Sequence, residues 1–243
     1  MGLKSNAGGD QENADITKRI LIGKLYTIRK KSAEVTPEEM STLVDLLNLS
    51  SSEEGKSLAS PTVKRIKTLE QVSELMKNSR LSRSFWIQTF CKLEDTPACR
   101  DLGKNIIRAA AQCYDYSSEE FGFVSFCGKI LKVEQNNTSS QSLAGDSEMA
   151  LEILKTLSDK LNGKQCYLAE TQATRRFLSD DDIWNNVIVN TTDKCRLKDS
   201  YSQLCEAVRN IEAGIIEEKD KTRIAFLFGS SVNNPKTGNC AAR

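Results

Sequence analysis

The chain has 243 residues, 39% of them hydrophobic and 28% charged, with a formal net charge of +1. That describes one large globular domain or two small lobes, together with some polar sequence that need not pack. It contains no histidine, which removes Ser-His and Cys-His nucleophile systems and, with no Cys-x-x-Cys pair, any ordinary zinc site.

The opening MGLKSNAGGDQENAD is polar and glycine-containing, so residues 1–15 are expected to form a mobile arm. It has no apolar run of the kind a secretory signal requires, and a cytoplasmic location follows as the expectation. Eight scattered cysteines in a chain of this size and routing are expected to be reduced thiols. Asn6 stands where a myristoylation motif on Gly2 prefers Ser or Thr. No apolar run is long enough to span a bilayer, so no transmembrane segment is expected.

Residues 16–31 (ITKRILIGKLYTIRKK) carry six basic and no acidic side chains. On a helical wheel Ile16 and Ile20 fall opposite Leu25, so the stretch reads as a strand or an irregular packed helix rather than a membrane-surface helix. Thr36-Pro37-Glu38-Glu39 is a helix start, with a capping hydroxyl, a proline in the first turn and a glutamate to close the box. That helix should bury Met40, Leu43, Val44 and Leu47. Ser50 to Ser60 reads as a serine-rich loop, and Ser60-Pro61 as the start of a helix carrying Ile66, Leu69, Val72 and Met76. A further segment from Ser82 to Lys92 contains Phe85, Trp86, Ile87 and Phe90.

Thr96-Pro97 caps the helix predicted to be central, with Leu102, Ile106, Ala109, Ala110 and Cys113 on its buried face. Phe121 to Phe126 and Ile130 to Val133, separated by Gly128-Lys129, suggest a small β-hairpin with glycine first in the turn. Residues 135–145 (QNNTSSQSLAG) form a linker or a long surface loop. An amphipathic helix follows on Ala150, Ile153, Leu154, Leu157 and Leu161, with Gly163 at its C-terminal end. Helices are expected over Tyr167 to Leu178, Ile183 to Val189 and Asp199 to Glu218, the last with Tyr201, Leu204, Cys205, Val208, Ile211 and Ile215 on one stripe. Arg223 to Phe228 is a short buried strand or helix, and 229–243 a C-terminal arm.

The expected fold class is therefore mainly α, with about seven or eight helices, one small hairpin and flexible arms at both ends. Its divisions are an arm at 1–15, a basic helical lobe with the hairpin at 16–134, the linker or loop at 135–145, a helical lobe at 146–228 and the arm at 229–243. One domain and two lobes both remain open.

Charge is unevenly laid out. Residues 16–31 contribute +6, residues 56–92 another +6, and the remainder −11. Lys64, Arg65, Lys67, Lys77, Arg80 and Arg83 are the candidate phosphate-binding residues, with Phe85 or Trp86 as stacking platforms. The simpler role for those aromatics is the core, which tryptophan favours. Asp180-Asp181-Asp182 fits a helix start, where carboxylates accept from free N–H groups, better than a divalent-ion site; Arg175-Arg176 nearby is a candidate partner for it. No metal, cofactor or catalytic residue is predicted.

These features suggest a non-enzymatic assembly protein, nucleoprotein-like or coat-like and of the viral kind. It would bind the backbone of single-stranded nucleic acid, RNA favoured, without reading sequence, and self-associate through its terminal arms. The alternative is a cytosolic protein–protein adaptor. An enzyme using carboxylate, lysine or cysteine chemistry is the third reading.

Overall fold

A computed structural model describes residues 7–79, 81–116, 122–132, 143, 146–162, 168–190 and 194–229. Among these are eleven helices and no sheet. They are α1 (Ala7–Lys31), α2 (Pro37–Leu49), α3 (Ser52–Val63), α4 (Leu69–Asn78), α5 (Arg83–Cys91) and α6 (Pro97–Cys113), then α7 (Phe123–Leu131), α8 (Ser147–Asn162), α9 (Leu168–Leu178), α10 (Asp181–Asn190) and α11 (Lys194–Gly229). No helix among the described residues is long and apolar enough to cross a membrane.

Short polar caps set the starts of α2 to α6. The hydroxyls of Thr36, Ser51, Thr68, Ser82 and Thr96 each accept from the backbone N–H three residues on, satisfying a donor the first turn leaves free. At Thr68 the box is complete, because the Gln71 side chain also receives the Thr68 N–H. Pro37 and Pro97 occupy first turns, as the sequence predicts.

Five expectations are corrected. The predicted hairpin is a helix. In α7 the residues Phe123, Val124, Phe126, Cys127, Ile130 and Leu131 are all buried, and their spacing of threes and fours is a helical stripe that the clustered aromatics made look like a strand. Gly128 does not turn the chain; it lets Ile183 of α10 and Phe177 of α9 come to within 3.7 and 4.0 Å of where a Cβ would sit. The serine-rich loop at 50–60 is α3, anchored by buried Ala59, Thr62 and Val63, and Ser60-Pro61 lies in its last turns. The next helix accordingly opens at Thr68, not Ser60. Residues 7–15 of the expected mobile arm belong to α1, a regular helix through to Lys31. The helix count exceeds the predicted seven or eight.

Arg223 to Phe228 is part of α11, which ends at Gly229; residues 1–6 and 230–243 of the predicted arms lie outside the described residues, as does Gly163. So does most of the 135–145 segment. Its one described residue, Leu143, is fully buried, and its N–H donates to the Leu93 carbonyl at 3.1 Å.

The predicted central helix is central. α6 packs against α4, α5, α7 and α8, and Leu102, Gly103, Ile106, Ile107 and Ala109 to Ala111 are buried along it. The small side chains admit neighbours closely: a Cβ on Gly103 would lie 3.0 Å from the Met149 sulfur. One contiguous hydrophobic cluster runs from Leu25 to Val208, with Trp86, Phe90, Phe123 and Phe126 its largest fully buried side chains.

A row of ion pairs joins α6 to α8. Arg100 reaches Asp95, Asp146 and Glu148, Lys104 reaches Glu148 at 2.5 Å, and Arg108 reaches Glu152 at 2.6 Å. The three cations sit four residues apart on one face of α6. Some of the acidic excess of the second half is thus matched by cations within the chain itself.

Candidate nucleic-acid interface

The basic block at 56–92 does not form one surface. Lys64 is the C-terminal cap of α3, and the chain then turns tightly, with Arg65 and Ile66 donating to the Thr62 and Val63 carbonyls. Lys67 follows just before the α4 cap, and Asn105 of α6 holds its carbonyl at 3.2 Å. These three residues lie beside the N-terminal end of α6. Lys77, in the last turn of α4, acts electrostatically on Cys113, and Arg83 on Tyr114, both at the opposite end of α6. Twelve helical residues separate Asp101 from Cys113, so these two positions on α6 are about 18 Å apart. Arg80 lies outside the described residues.

The first group surrounds a groove of about 840 Å³ between α3, α5 and the start of α6. Val63, Ile66, Phe85, Leu93 and Leu102 form its apolar floor, and Lys56, Lys64, Arg65, Lys67 and Lys92 its cationic walls, against Glu94 and Asp101. Lys56 and Lys92 belong to the same basic block; only their positions on α3 and at the end of α5, invisible in a linear charge count, bring them to the groove.

These cations are not equivalent. Arg65 is a structural residue. It makes four hydrogen bonds, to Glu39 at 2.5 Å and to the carbonyls of Ala33, Ser32 and Glu34 at 3.3, 3.0 and 2.8 Å. Glu39 is fully buried, and its Oε1 also accepts from Arg29 Nε at 3.0 Å, while its Oε2 has no hydrogen-bond partner. Arg29 continues to the Leu58 carbonyl at 3.1 Å and to the Thr62 hydroxyl, so this Arg–Glu–Arg group fastens α1, α2 and α3 together.

Lys67 pairs with Glu34 at 2.8 Å with both side chains largely exposed; the lysine's hydrogen bond and charge hold the Glu34 carboxyl below its ordinary value. Such a pair is weak and open to competition. Lys56 pairs with Glu53 at 2.7 Å on its own helix. Lys64 and Lys92 are exposed and have no charged partner among the described residues.

The aromatics are not stacking platforms. Trp86 is fully buried and Phe85 nearly so, edge-on to each other with centroids 5.4 Å apart. Arg83 donates to the Gly122 carbonyl at 3.3 Å. Burial pushes the neighbouring Tyr114 phenol up to about 12, against the pull of the Arg83 charge.

The aspartate triplet opens α10, where the Ile183 N–H donates to Asp180 Oδ1 at 3.4 Å. Asp180 pairs with Lys132 at 2.7 Å, and Arg175 reaches Glu212 at 3.2 Å. Among the described residues no three His, Cys, Asp or Glu side chains converge as a metal site. Cys91, Cys99, Cys113, Cys127, Cys195 and Cys205 are not in disulfides. Comparison with protein-family profiles, with curated proteins and with solved structures found no match.

Proposed function

We propose that this is a non-enzymatic assembly protein that binds the backbone of single-stranded nucleic acid, RNA above DNA, in the groove between α3, α5 and the start of α6. The observation that carries it is the groove's inventory: an apolar floor walled by five cations and two acids, with Lys64 and Lys92 uncommitted and Lys67 only weakly paired. Phosphates neutralise such cations at little cost in broken pairs. With Phe85 and Trp86 buried, neither ring is open to base stacking, so recognition runs through the backbone and is blind to sequence.

The test is fluorescence anisotropy with homopolymeric RNA and DNA oligonucleotides across a salt series. Each contacted phosphate contributes a slope of roughly −0.7 in log K against log salt. Replacing Lys64 and Lys92 by glutamate should flatten the slope by about 1.4 and leave the thermal midpoint unchanged. No binding at low salt would favour the adaptor reading. A sequence preference that survives high salt would also remove backbone binding as the function.

A further inference from the structure

The outer face of α1 carries three large exposed apolar side chains, and nothing among the described residues covers them. Leu25 is buried against α2, while Ile16, Ile20 and Tyr26 are 50%, 65% and 61% exposed. At about 100° per residue these three, with Gly23, Thr27 and the exposed Arg19, fall within a sector of about 120° centred about 160° from Leu25. A Cβ on Gly23 would meet nothing within 4 Å, so a second backbone can come close there.

This face carries an acid near one end and a lysine near the other, with Arg19 between them. Glu12 lies on it near the N-terminal end, exposed and without a partner among the described residues. Lys30 lies on it near the C-terminal end, its ammonium 4.6 Å from the centre of the Tyr26 ring. From Ile16 to Lys31 there is no acidic side chain.

We infer that α1 pairs with the α1 of a second copy, antiparallel about a two-fold axis level with Leu21. At that level Glu12 stands opposite Lys30 of the second copy, Ile16 is level with Tyr26, and Arg19 is level with the open Gly23, because each pair is equally spaced about residue 21. The face is self-complementary, as an isologous contact requires. A parallel arrangement would set Glu12 against Glu12 and Lys30 against Lys30. Eighteen residues separate the charged ends, so the contact is about 27 Å long. One helix pair of that length buries less than the ~1,600 Å² of a standard interface, so dissociation is expected in the micromolar range.

Sedimentation velocity between about 1 and 100 µM reads the dimer directly. Glu12→Lys and Lys30→Glu should each weaken it roughly five- to tenfold, since each change turns two attractions into two repulsions. The double variant should restore the dimer. An equimolar mixture of the two single variants should do so as well, since both contacts between unlike copies are then attractive. Ile20→Glu should abolish pairing while the circular dichroism spectrum and thermal midpoint hold. A chain monomeric at every concentration would overturn the proposal, and so would a dimer indifferent to Ile20→Glu. Failure of the two single variants to rescue each other would overturn the antiparallel register. Co-sedimentation with phosphatidylserine-containing vesicles by a chain that stays monomeric would assign the face to a membrane instead.

Discussion

Replacing Glu39 by glutamine tests the Arg29–Glu39–Arg65 group directly. Both arginines bond the same buried oxygen, Oε1, and the second oxygen is buried without a partner. A glutamine that turns its carbonyl toward the arginines places an NH₂ group where no acceptor waits. Turned the other way, it sets donor against donor. Either way two guanidinium charges lose their counter-ion in a site where their side chains are only 23% and 22% exposed.

Removing one member of a buried pair costs about 3–5 kcal/mol, and the residual exposure of the arginines points to the lower end, about 3 kcal/mol. For a chain of this length that lowers the thermal midpoint by about 6–12 °C. Lys67→Met, which removes an exposed pair, should cost less than about 1 kcal/mol. Substituting all three residues together (Arg29→Met, Glu39→Leu, Arg65→Met) should cost less than Glu39→Gln alone, because no unpaired charge is left behind. Differential scanning calorimetry decides it. A Glu39→Gln midpoint within about 2 °C of the parent would refute the reasoning.

Two of the helical glycines, Gly103 and Gly214, should respond with opposite signs. Gly214→Ala meets nothing within 4 Å and should stabilise by up to about 1 kcal/mol, whereas Gly103→Val drives methyl groups into Met149 and Phe90 and should cost at least about 2 kcal/mol by urea unfolding. Thr68→Ala removes the hydroxyl half of the α4 capping box and should cost about 1 kcal/mol in the same assay. Native-state alkylation read by mass spectrometry should label exposed Cys195 first. It should spare Cys127, which is fully buried and whose thiol burial pushes well above its ordinary value; early labelling of Cys127 would contradict the packing of α7.

Sequence revealed the caps and stripes because those are local. Thr36-Pro37, Thr96-Pro97 and the buried face of α6 depend on residues within a turn or two of each other. What it missed depended on partners far along the chain. The serines of α3 read as loop because the residues that bury Ala59, Thr62 and Val63 come from other helices. The helical stripe of α7 was hidden by its aromatics, whose β-propensity tertiary packing overrode. At the groove the basic block was visible, but not that Arg65 would be consumed by Glu39, twenty-six residues earlier. Nor did anything local show that Lys77 and Arg83 would sit at the far end of α6. The self-complementary face of α1 was partly in view, since Ile16 and Ile20 opposite Leu25 were evident. Its meaning required knowing which side α2 covers.

The cation row on α6 has a consequence for how the chain finds its packing. Helices bearing leucine, isoleucine and alanine stripes have several near-equal ways to dock, differing by a slide of one turn. With Arg100, Lys104 and Arg108 each meeting an acid at the N-terminal end of α8, a one-turn slide would strand a charge at one end and misplace the others. Partly exposed pairs of this kind add little to the depth of the native well. They raise the wells beside it, so the row acts as a key that rejects the wrong alignment more than as a bolt that strengthens the right one.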